Sequence, residues 1–342
     1  MSGPRVSVLV TTRDGAATIG ESLDSVFRQT MADFELLVVD DGSVDGTPAI
    51  LSAIGDPRLR VMRHERALGI AGARNAGLAL CQAPYVAMLD HDDLCLPQRL
   101  AAQADYLDHH PGTVLVGAAV RILSGTSDVG SGQPARVGPA GLRLLLHMGN
   151  PLTWSSVMCR RDALAAVAAG EPTLRAAAEP ADDFDLYHRL LAYGEVARLD
   201  PVLTLYRWHG SNTSHRRAVQ IAARAAEVLA RAYAPWFGAE SEAAAALVIR
   251  HLSDRAPVPD AATLDQVLAI IARVARASPG GCEVQSLAAA MQWSVLRAAV
   301  RGGRPWLMGG RWRHRGSSAD TMTSMAIGGI RAIRRRLGAR AA

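Results

Sequence analysis

The sequence predicts an α/β protein with a mainly parallel central sheet, helices on both faces and a C-terminal helical extension. Three observations support this fold class. Short apolar runs alternate with amphipathic segments over the first hundred or so residues, polar clusters follow three of those runs, and beyond about residue 216 the chain becomes Ala/Arg-rich. Alternating strands and helices are typical of a parallel sheet covered on both sides. We therefore expect an α/β domain that carries the functional site over residues 1–215 and a helical region over residues 216–342.

The first half of the sequence alternates strictly between predicted strands and predicted helices. Four mostly β-branched or apolar runs predict buried strands at residues 6–10, 34–39, 59–62 and 85–89. Helical segments separate or follow them at residues 19–27, from 47 onward, at 69–80 and at 97–109. Thr47 followed by Pro48 fits a helix start.

The middle of the chain is less regular. Residues 124–141 are rich in Gly, Ser and Pro and predict a loop, while residues 150–159 predict a strand that carries Trp154. A helix is expected at residues 183–193 and a last strand at 202–208. Trp154 and Trp208 are either core residues or part of an aromatic platform for a ligand.

An acidic cluster ends the fourth predicted strand. Asp90, Asp92 and Asp93 follow an apolar run directly, with His91 between them. Like charges this close repel one another unless a cation or a set of hydrogen-bond donors neutralises them. A hard divalent cation with oxygen ligands is the simplest such neutraliser. A solvated turn with helix-capping acids is the alternative, and His91 is either a ligand or a solvated loop residue.

Two further polar groups are expected near this cluster. In parallel sheets, ligands bind outside the carboxyl ends of the strands, where the predicted turn at Asp40 and Asp41 also lies. A carboxylate there can accept a hydrogen bond from a nucleobase, and Gly42 lets backbone approach a ligand. Arg74, in the helix before the fourth strand, is placed to meet either a phosphate or Asp90, or else to form a surface ion pair.

Composition narrows the function classes. The net charge of +5 suits an anionic partner such as a nucleotide or a lipid headgroup. The four cysteines form no C-x-x-C pair, which argues against a zinc site or a disulfide framework and favours a cytoplasmic protein. No signal peptide and no apolar run of membrane-spanning length is present. The Arg-rich end of the chain is either a basic amphipathic helix on the inner face of a membrane or a solvated helix.

Taken together, the motifs resemble those of the inverting family-2 glycosyltransferases of the GT-A fold, over roughly residues 4–215. The matching motifs are residues 6–14, Gln29-Thr30 with Phe34-Glu35, residues 38–43, residues 73–77, residues 89–93 with Pro97, residues 182–186 and residues 206–209. The resemblance implies a GT-A nucleotide-diphospho-sugar transferase fold. It also implies a nucleotide-diphosphate sugar donor and a saccharide or lipid-linked acceptor, in polysaccharide or glycoconjugate synthesis.

The resemblance also implies which residues hold the donor. Thr11 and Arg13 match the turn that contacts base and ribose, Asp41 the residue that holds the base, Arg74 the nucleotide end of the site, and Asp90 the residue that meets the ribose. The family's base-stacking Tyr is absent from the first turn. The planar guanidinium of Arg13 is able to stack in its place.

The remaining implied roles are those of metal binding and catalysis. Asp92 matches the ligand of Mg²⁺ or Mn²⁺ on the diphosphate, Asp93 supports it, and His209 matches a metal or phosphate contact. Asp183 matches the general base and starts a predicted helix, whose dipole favours the ionised carboxylate. Asp182 precedes it where the family usually has Glu, so both carboxylates remain candidates for the base.

Two other functions on related folds are weighed against this one. A sugar-nucleotide pyrophosphorylase would carry an N-terminal Gly-rich loop, and residues 11–20 do not form one. A non-catalytic nucleotide-sugar-binding or scaffold protein would not need the acidic residues and Asp183 together. Nucleic-acid binding is disfavoured because the basic residues cluster in the tail without interleaved aromatic residues.

Overall fold

The computed structural model describes residues 3–125, 127–130, 136–210 and 212–301. The chain divides into two compact units: Met1–Gly130 with Leu152–Arg216, called the sheet unit below, and Ser131–Pro151 with Arg217–Ala342, called the helical unit. The proposed functional residues all lie in the sheet unit.

The sheet unit contains nine strands within its described residues. They are β1 (Val6–Thr12), β2 (Phe34–Asp40), β3 (Leu59–Arg63), β4 (Tyr85–Asp90), β5 (Leu94–Cys95), β6 (Thr113–Ser124), β7 (Ser127–Gly130), β8 (Met158–Arg160) and β9 (Glu195–Trp208). Its helices are α1 (Ile19–Phe27), α2 (Thr47–Ser52), α3 (Gly69–Leu80), α4 (Arg99–His109), α6 (Arg161–Val167), α7 (Asp182–Leu190) and α8 (Thr213–Arg216), while α5 (Pro139–Leu146) belongs to the helical unit.

All the strands of this unit join one mixed sheet. The order is β3-β2-β1-β4-β8-β6-β9-β5, with β7 paired to β6. The run from β3 to β4 is parallel throughout, and β6 also pairs in parallel with β9, whereas β8, β5 and β7 add antiparallel pairs. The prediction of an α/β fold with a largely parallel sheet is confirmed.

Helices cover both faces of the central strands, as predicted. Val8 and Val10 of β1 pack in the same buried cluster as Leu23 of α1 and Leu100 of α4. On the opposite face α3 lies so close to the sheet that a Cβ on Gly77 would come within 2.3 Å of Leu9 Cδ1. Strands buried on both faces read as continuous apolar runs, which is why these strands were recognisable from the sequence.

Three strands of the second half of the sheet, β6, β7 and β9, differ from the prediction. Strand β6 was not predicted, and β7 lies in the stretch that predicted a loop. Strand β9 starts at Glu195 because it continues past an irregularity, where its pairing with β6 skips Asp200 and Pro201. Proline cannot donate to a ladder, so Pro201 interrupts the strand pattern of the sequence, whereas the strand itself bulges and continues.

The prediction that Trp154 lies in a strand is wrong. Trp154–Ser156 forms a 3₁₀ turn, and the strand of this region is confined to Met158–Arg160. The turn is held by Ser155, whose Oγ accepts a hydrogen bond from the Asp90 amide at 3.0 Å and whose carbonyl accepts one from Thr204. These contacts are remote in sequence, so the local apolar pattern does not reveal them.

The helical unit is built from α5, α9 (Ala218–Phe237), α10 (Ser241–Val248), α11 (Ala261–Ala277) and α12 (Gly281–Arg301), with a π-helical turn at Ile249–Ser253. Apolar residues of these helices, such as Leu229, Val267 and Leu296, are fully buried. Across the described helices, none is long and apolar enough to cross a membrane. The predicted Arg-rich tail lies outside the described residues.

A buried histidine makes the helical unit sensitive to acid. Tyr233 donates a hydrogen bond to the His147 carbonyl at 2.6 Å, and the His147 ring lies 5.0 Å from that of Trp236. Burial lowers the pKa of His147 to about 4. In the unfolded chain His147 takes up a proton below about pH 6.5, whereas in the folded protein it stays neutral until the pH approaches 4. Protonation of the unfolded chain therefore lowers the free energy of unfolding as the pH falls from about 6.5 towards 4.

The free energy of unfolding falls as the pH is lowered from 6.5 to 4, and we expect His147→Gln to make this fall smaller by about 2 kcal/mol. Urea denaturation of both proteins at pH 7 and pH 4.5 measures the difference, with other titrating groups cancelling in the comparison. Equal pH dependence in the two proteins would contradict this assignment.

Candidate functional site

The carboxyl ends of the parallel strands meet at one edge, where the predicted site residues lie. In the sheet register Thr11 is paired with Val39 on one side and with Asp90 on the other, and Thr12 is paired with Asp40. The ends of β1, β2 and β4 are thus level with one another. The polar clusters that follow these strands therefore share one edge, as the sequence predicted, and Thr11 lies beside Asp90.

Hydrogen bonds tie the turn after β1 to the turn after β2. Asp14 adopts a left-handed conformation with φ of 53°. Its amide donates to Ser43 Oγ at 2.9 Å, and its Oδ1 accepts from the Val44 amide at 2.9 Å. Arg13 projects outward, its side chain 60% exposed, with Asp14 3.9 Å away. The guanidinium therefore stands at the rim of the edge, free of the core.

His91 covers the start of the same turn. A Cβ added to Gly15 would lie 2.6 Å from His91 Cδ2 and 2.4 Å from Thr12 Oγ1, so only glycine fits there without displacement. The Gly15 amide donates to Thr47 Oγ1 at 2.9 Å. His91 thus packs the acidic loop against the first turn.

The Asp41 carboxylate organises the start of α3. Its Oδ1 accepts from the Leu68 amide at 2.8 Å, its Oδ2 accepts from the Gly69 amide at 3.0 Å, and His64 Nδ1 lies 2.8 Å from Oδ1. Asp41 is buried. A carboxylate at a helix N-terminus satisfies amides that have no partner within the helix. Asp41 therefore fixes the position of α3 relative to β2.

The acidic cluster is compact. Asp90, Asp92 and Asp93 each offer a carboxylate oxygen within 4.8 Å of the other two. Burial raises the pKa of Asp93 well above its usual range, and the negative charges of Asp92 and Asp90 add to this. Burial also raises the pKa of Asp90, with Arg74 acting in the opposite direction. The cluster is thus short of positive charge.

The end of β9 and the residues that follow it contact the acidic cluster. His209 Nε2 lies 2.9 Å from Asp92 Oδ2, and Asn212 Nδ2 donates to the same oxygen at 3.3 Å. Arg207 donates through its amide to Asp93 Oδ1 and through its Nε to the Asp92 carbonyl, both at 2.9 Å. Burial pushes the pKa of Asp92 upward, but the contacts with His209 and His91 outweigh it, so this pKa lies below its usual value.

Arg74 connects the acidic cluster to α7. Its Nη2 donates to Asp90 Oδ1 at 3.1 Å and its Nη1 to Asp182 Oδ2 at 3.0 Å. The guanidinium carbon lies 4.0 Å from the centre of the Trp154 ring, within the range of a cation–π contact. Burial opposes the charge of Arg74, but Asp182, Asp90 and Asp183 outweigh it and raise the pKa of the guanidinium. Of the sequence-based alternatives for Arg74, the contact with Asp90 is the one observed.

The two acidic residues that start α7 have different environments. Asp182 is 2% exposed and bound to Arg74, whereas Asp183 is partly exposed. Both lie in the first turn of the helix. Asp182 therefore has a structural partner on the interior side, and Asp183 is the carboxylate of the pair that a substrate is able to reach.

Sequence reasoning missed several residues of this site. Asn212 and Ser155 were not identified, and Trp154 was expected in a strand. Each reaches the acidic cluster or Arg74 from a distant part of the chain, with Asp90 and Ser155 separated by 65 positions. The 4% exposure of Trp154 shows that it is a core residue and not an exposed acceptor platform. The only local sign in the sequence was that Asn212 follows His209, a predicted site residue, by three positions.

The glycosyl transferase family 2 model matches residues 7–166, which include the acidic cluster and the ends of β1, β2 and β4. Residues 7–166 therefore form a region of the glycosyl transferase family 2 type. Asp183 and His209 lie beyond the matched residues.

Two curated relatives have names that refer to bacterial saccharide synthesis. The succinoglycan biosynthesis protein ExoO of Rhizobium meliloti is 39% identical over 105 residues, covering 31% of this chain and 30% of that protein. The UDP-Glc:alpha-D-GlcNAc-diphosphoundecaprenol beta-1,3-glucosyltransferase WfgD of Escherichia coli is 38% identical over 98 residues, covering 29% and 39%. The alignments thus span well under half the length of either relative.

A solved structure shares the fold. The mannosyltransferase PcManGT from Pyrobaculum calidifontis, in complex with GDP-Man and Mn²⁺, superposes with a TM-score of 0.53 at 20% identity, covering 96% of this chain and 86% of that one. The predicted GT-A-type architecture is therefore confirmed.

We expect Arg74→Met to lower the free energy of unfolding by about 3 kcal/mol, because it leaves Asp182 and Asp90 without their shared cation. Arg74→Lys should restore only part of this, since one ammonium cannot reproduce the fork that serves two carboxylates. Arg28→Met removes a surface pair with Asp24, 75% exposed on the Arg side, and is the matched control with an expected effect under about 0.5 kcal/mol. Urea denaturation distinguishes these outcomes, and equal effects at the two positions would refute a special role for Arg74.

Proposed function

We propose that this chain is a metal-dependent inverting glycosyltransferase. It moves a sugar from a nucleotide-diphosphate donor to a hydroxyl of a saccharide or lipid-linked acceptor, in bacterial polysaccharide or glycoconjugate synthesis. The observation that carries the proposal is the joint placement, through Arg74, of the acidic cluster and the acidic start of α7. The match to the family model and the names of the relatives support the reaction class.

The donor is proposed to lie along the strand ends. Thr11 and Arg13 border the first turn, where the Arg13 guanidinium is able to stack on the base. Asp41 marks the base end, but both of its oxygens already accept backbone hydrogen bonds, so any hydrogen bond to the base is shared with these. Asp90, level with Thr11 in the register, faces the ribose.

The acidic cluster fits a divalent cation, Mg²⁺ or Mn²⁺. Three carboxylate oxygens lie within 4.8 Å of one another, and within the described part of the chain the buried Asp93 Oδ2 has no hydrogen-bond partner. Oxygen-only ligands of this kind suit hard cations. Asp92 would hold the ion, with His209 as a further ligand or as the partner that orients Asp92. When bound, the ion would neutralise the charge that develops on the leaving diphosphate.

Asp183 is proposed as the general base. The acceptor oxygen forms a bond to the anomeric carbon while the bond to the diphosphate oxygen breaks, and its electron pair leaves with the diphosphate. Asp183 takes the proton from the acceptor hydroxyl as the new bond forms. One displacement on the face opposite the leaving group inverts the anomeric centre and requires one base. Asp182 is unsuited to this role because Arg74 occupies it in the interior.

Replacing Asp183 with Asn should reduce the rate of transfer by at least about 100-fold, because no other group would take the proton. The dissociation constant for the donor should change by less than about threefold. Release of nucleotide diphosphate measures turnover, and calorimetry measures donor binding. Asp185→Asn, two residues further along α7, is the matched control, since that carboxylate pairs with Arg175 and Arg189. Loss of donor binding in the Asp183 variant would assign that residue to the donor pocket.

Removal of the cation tests the other half of the proposal. We expect at least one member of a panel of UDP-, GDP- and dTDP-sugars to bind in the presence of Mn²⁺, with affinity reduced at least about tenfold in EDTA or in Asp92→Asn. Isothermal titration calorimetry is the measurement. The absence of binding across the whole panel would overturn the proposed function, and metal-independent binding would remove the cation from the mechanism.

A further inference from the structure

The segment that leads to the proposed base is contacted by α3, a helix of the donor side. Residues 168–181, between α6 and α7, contain only a single 3₁₀ turn at Ala176–Ala178. Such a segment needs outside contacts to define its position. Asn75 of α3 supplies two of them: its Nδ2 donates to the Leu174 carbonyl at 2.8 Å and its Oδ1 accepts from the Leu174 amide at 2.9 Å.

The contact is a closed pair of hydrogen bonds on a buried residue. Leu174 is fully buried, so its backbone amide and carbonyl need partners within the protein. The Asn75 amide group satisfies both at once, as a neighbouring strand would. Loss of one partner would leave a buried donor or acceptor unsatisfied. Asn75 therefore fixes the main chain at this point.

Two further contacts lie on the same face of α3. The Ala71 amide donates to Glu179 Oε2 at 3.4 Å, and Arg74 binds Asp182. Ala71, Arg74 and Asn75 have the i, i+3, i+4 spacing of one helix face. This face therefore contacts the segment at Leu174, Glu179 and Asp182, which brings the main chain to Asp183.

We propose that Asn75 is a positioning residue for the reaction: by holding Leu174 it sets the location of Asp183 relative to the donor. The inference rests on the function proposed above. Asn75 acts through the segment and not on the donor, because its amide group is occupied by the Leu174 backbone. A displacement of about 1 Å of a reacting group is enough to lower a rate by about 100-fold.

The test compares Asn75→Ala and Asn75→Asp with the wild type, using the best donor of the calorimetric panel and water as the acceptor. We expect Asn75→Ala to lower kcat for donor hydrolysis by about 10- to 100-fold with donor affinity changed less than about threefold. Asn75→Asp keeps the acceptor for the Leu174 amide but loses the donor to its carbonyl, so its kcat should lie between the other two. Hydrogen exchange of residues 171–181 should accelerate in Asn75→Ala.

A matched control separates positioning from general stability. Arg160 also holds main chain from a distance, donating through Nε to the Thr113 carbonyl at 2.8 Å and through Nη2 to the Leu107 carbonyl at 2.6 Å. It is paired with Tyr85, at the end of β4 opposite the acidic cluster. Arg160→Met should lower the melting temperature comparably while leaving kcat within about threefold of wild type. An equal loss of kcat in both variants would overturn the proposal.

A double variant tests whether Asn75 acts through Asp183. If it does, adding Asn75→Ala to Asp183→Asn should lower kcat no further than Asp183→Asn alone. Additive losses, loss of donor binding, or wild-type kcat in Asn75→Ala would each overturn the inference. A wild-type protein that binds no donor of the panel would instead overturn the proposed function, so the two failures are distinguishable.

Discussion

The buried guanidinium of Arg74 is the interaction on which the rest of the site depends. A charge in the interior is tolerated only when its attraction to nearby counter-charges offsets the loss of hydration. Arg74 meets this condition with Asp90 from β4, Asp182 from α7 and the face of Trp154. Neither carboxylate is able to move away without leaving the guanidinium unpaired. The end of β4 and the start of α7 are thereby held together, although 92 positions separate Asp90 from Asp182 in the chain.

Helix α3 extends this constraint in both directions. The amides at its start are bound by Asp41 of the turn after β2, and its middle turn contacts the segment before α7. At the other side, Gly77 allows the helix to pack closely on Leu9 and Val39. Because a helix is stiff over this length, the position of the sheet is transmitted to the segment that leads into α7 and Asp183. The proposed donor and acceptor sides of the reaction are then located by the same rigid element, which is what precise alignment of a nucleophile requires.

The sequence allowed the central sheet and most of the strand-end residues to be predicted, because these depend on local pattern. Apolar runs identified β1, β2 and β4. The rule that ligands bind at the carboxyl ends of parallel strands then predicted that Asp41 and Asp90 lie at the same edge of the sheet. What could not be predicted depends on distant contacts. The 3₁₀ turn at Trp154 is fixed by partners on β4 and β9. The first half of β9 was not recognised because Asp200 and Pro201 interrupt its sequence pattern. The pairing of Arg74 with Asp182 spans 108 positions, which no local pattern encodes.

The distribution of charge explains why the proposed reaction needs a cation in addition to Arg74. The edge gathers the carboxylates of the acidic cluster and of α7, while Arg74 is already neutralised by two of them. A diphosphate carries further negative charge, so its approach to this edge is unfavourable unless a positive charge intervenes. The pKa of Asp93 is raised and that of Asp92, which contacts His209, is lowered. The carboxyl groups of the cluster therefore differ in how readily they ionise. Among the three, Asp92 is therefore the carboxylate best prepared to remain ionised and to bind a cation, and Asp93, deeper and held by Arg207, shapes the loop around it.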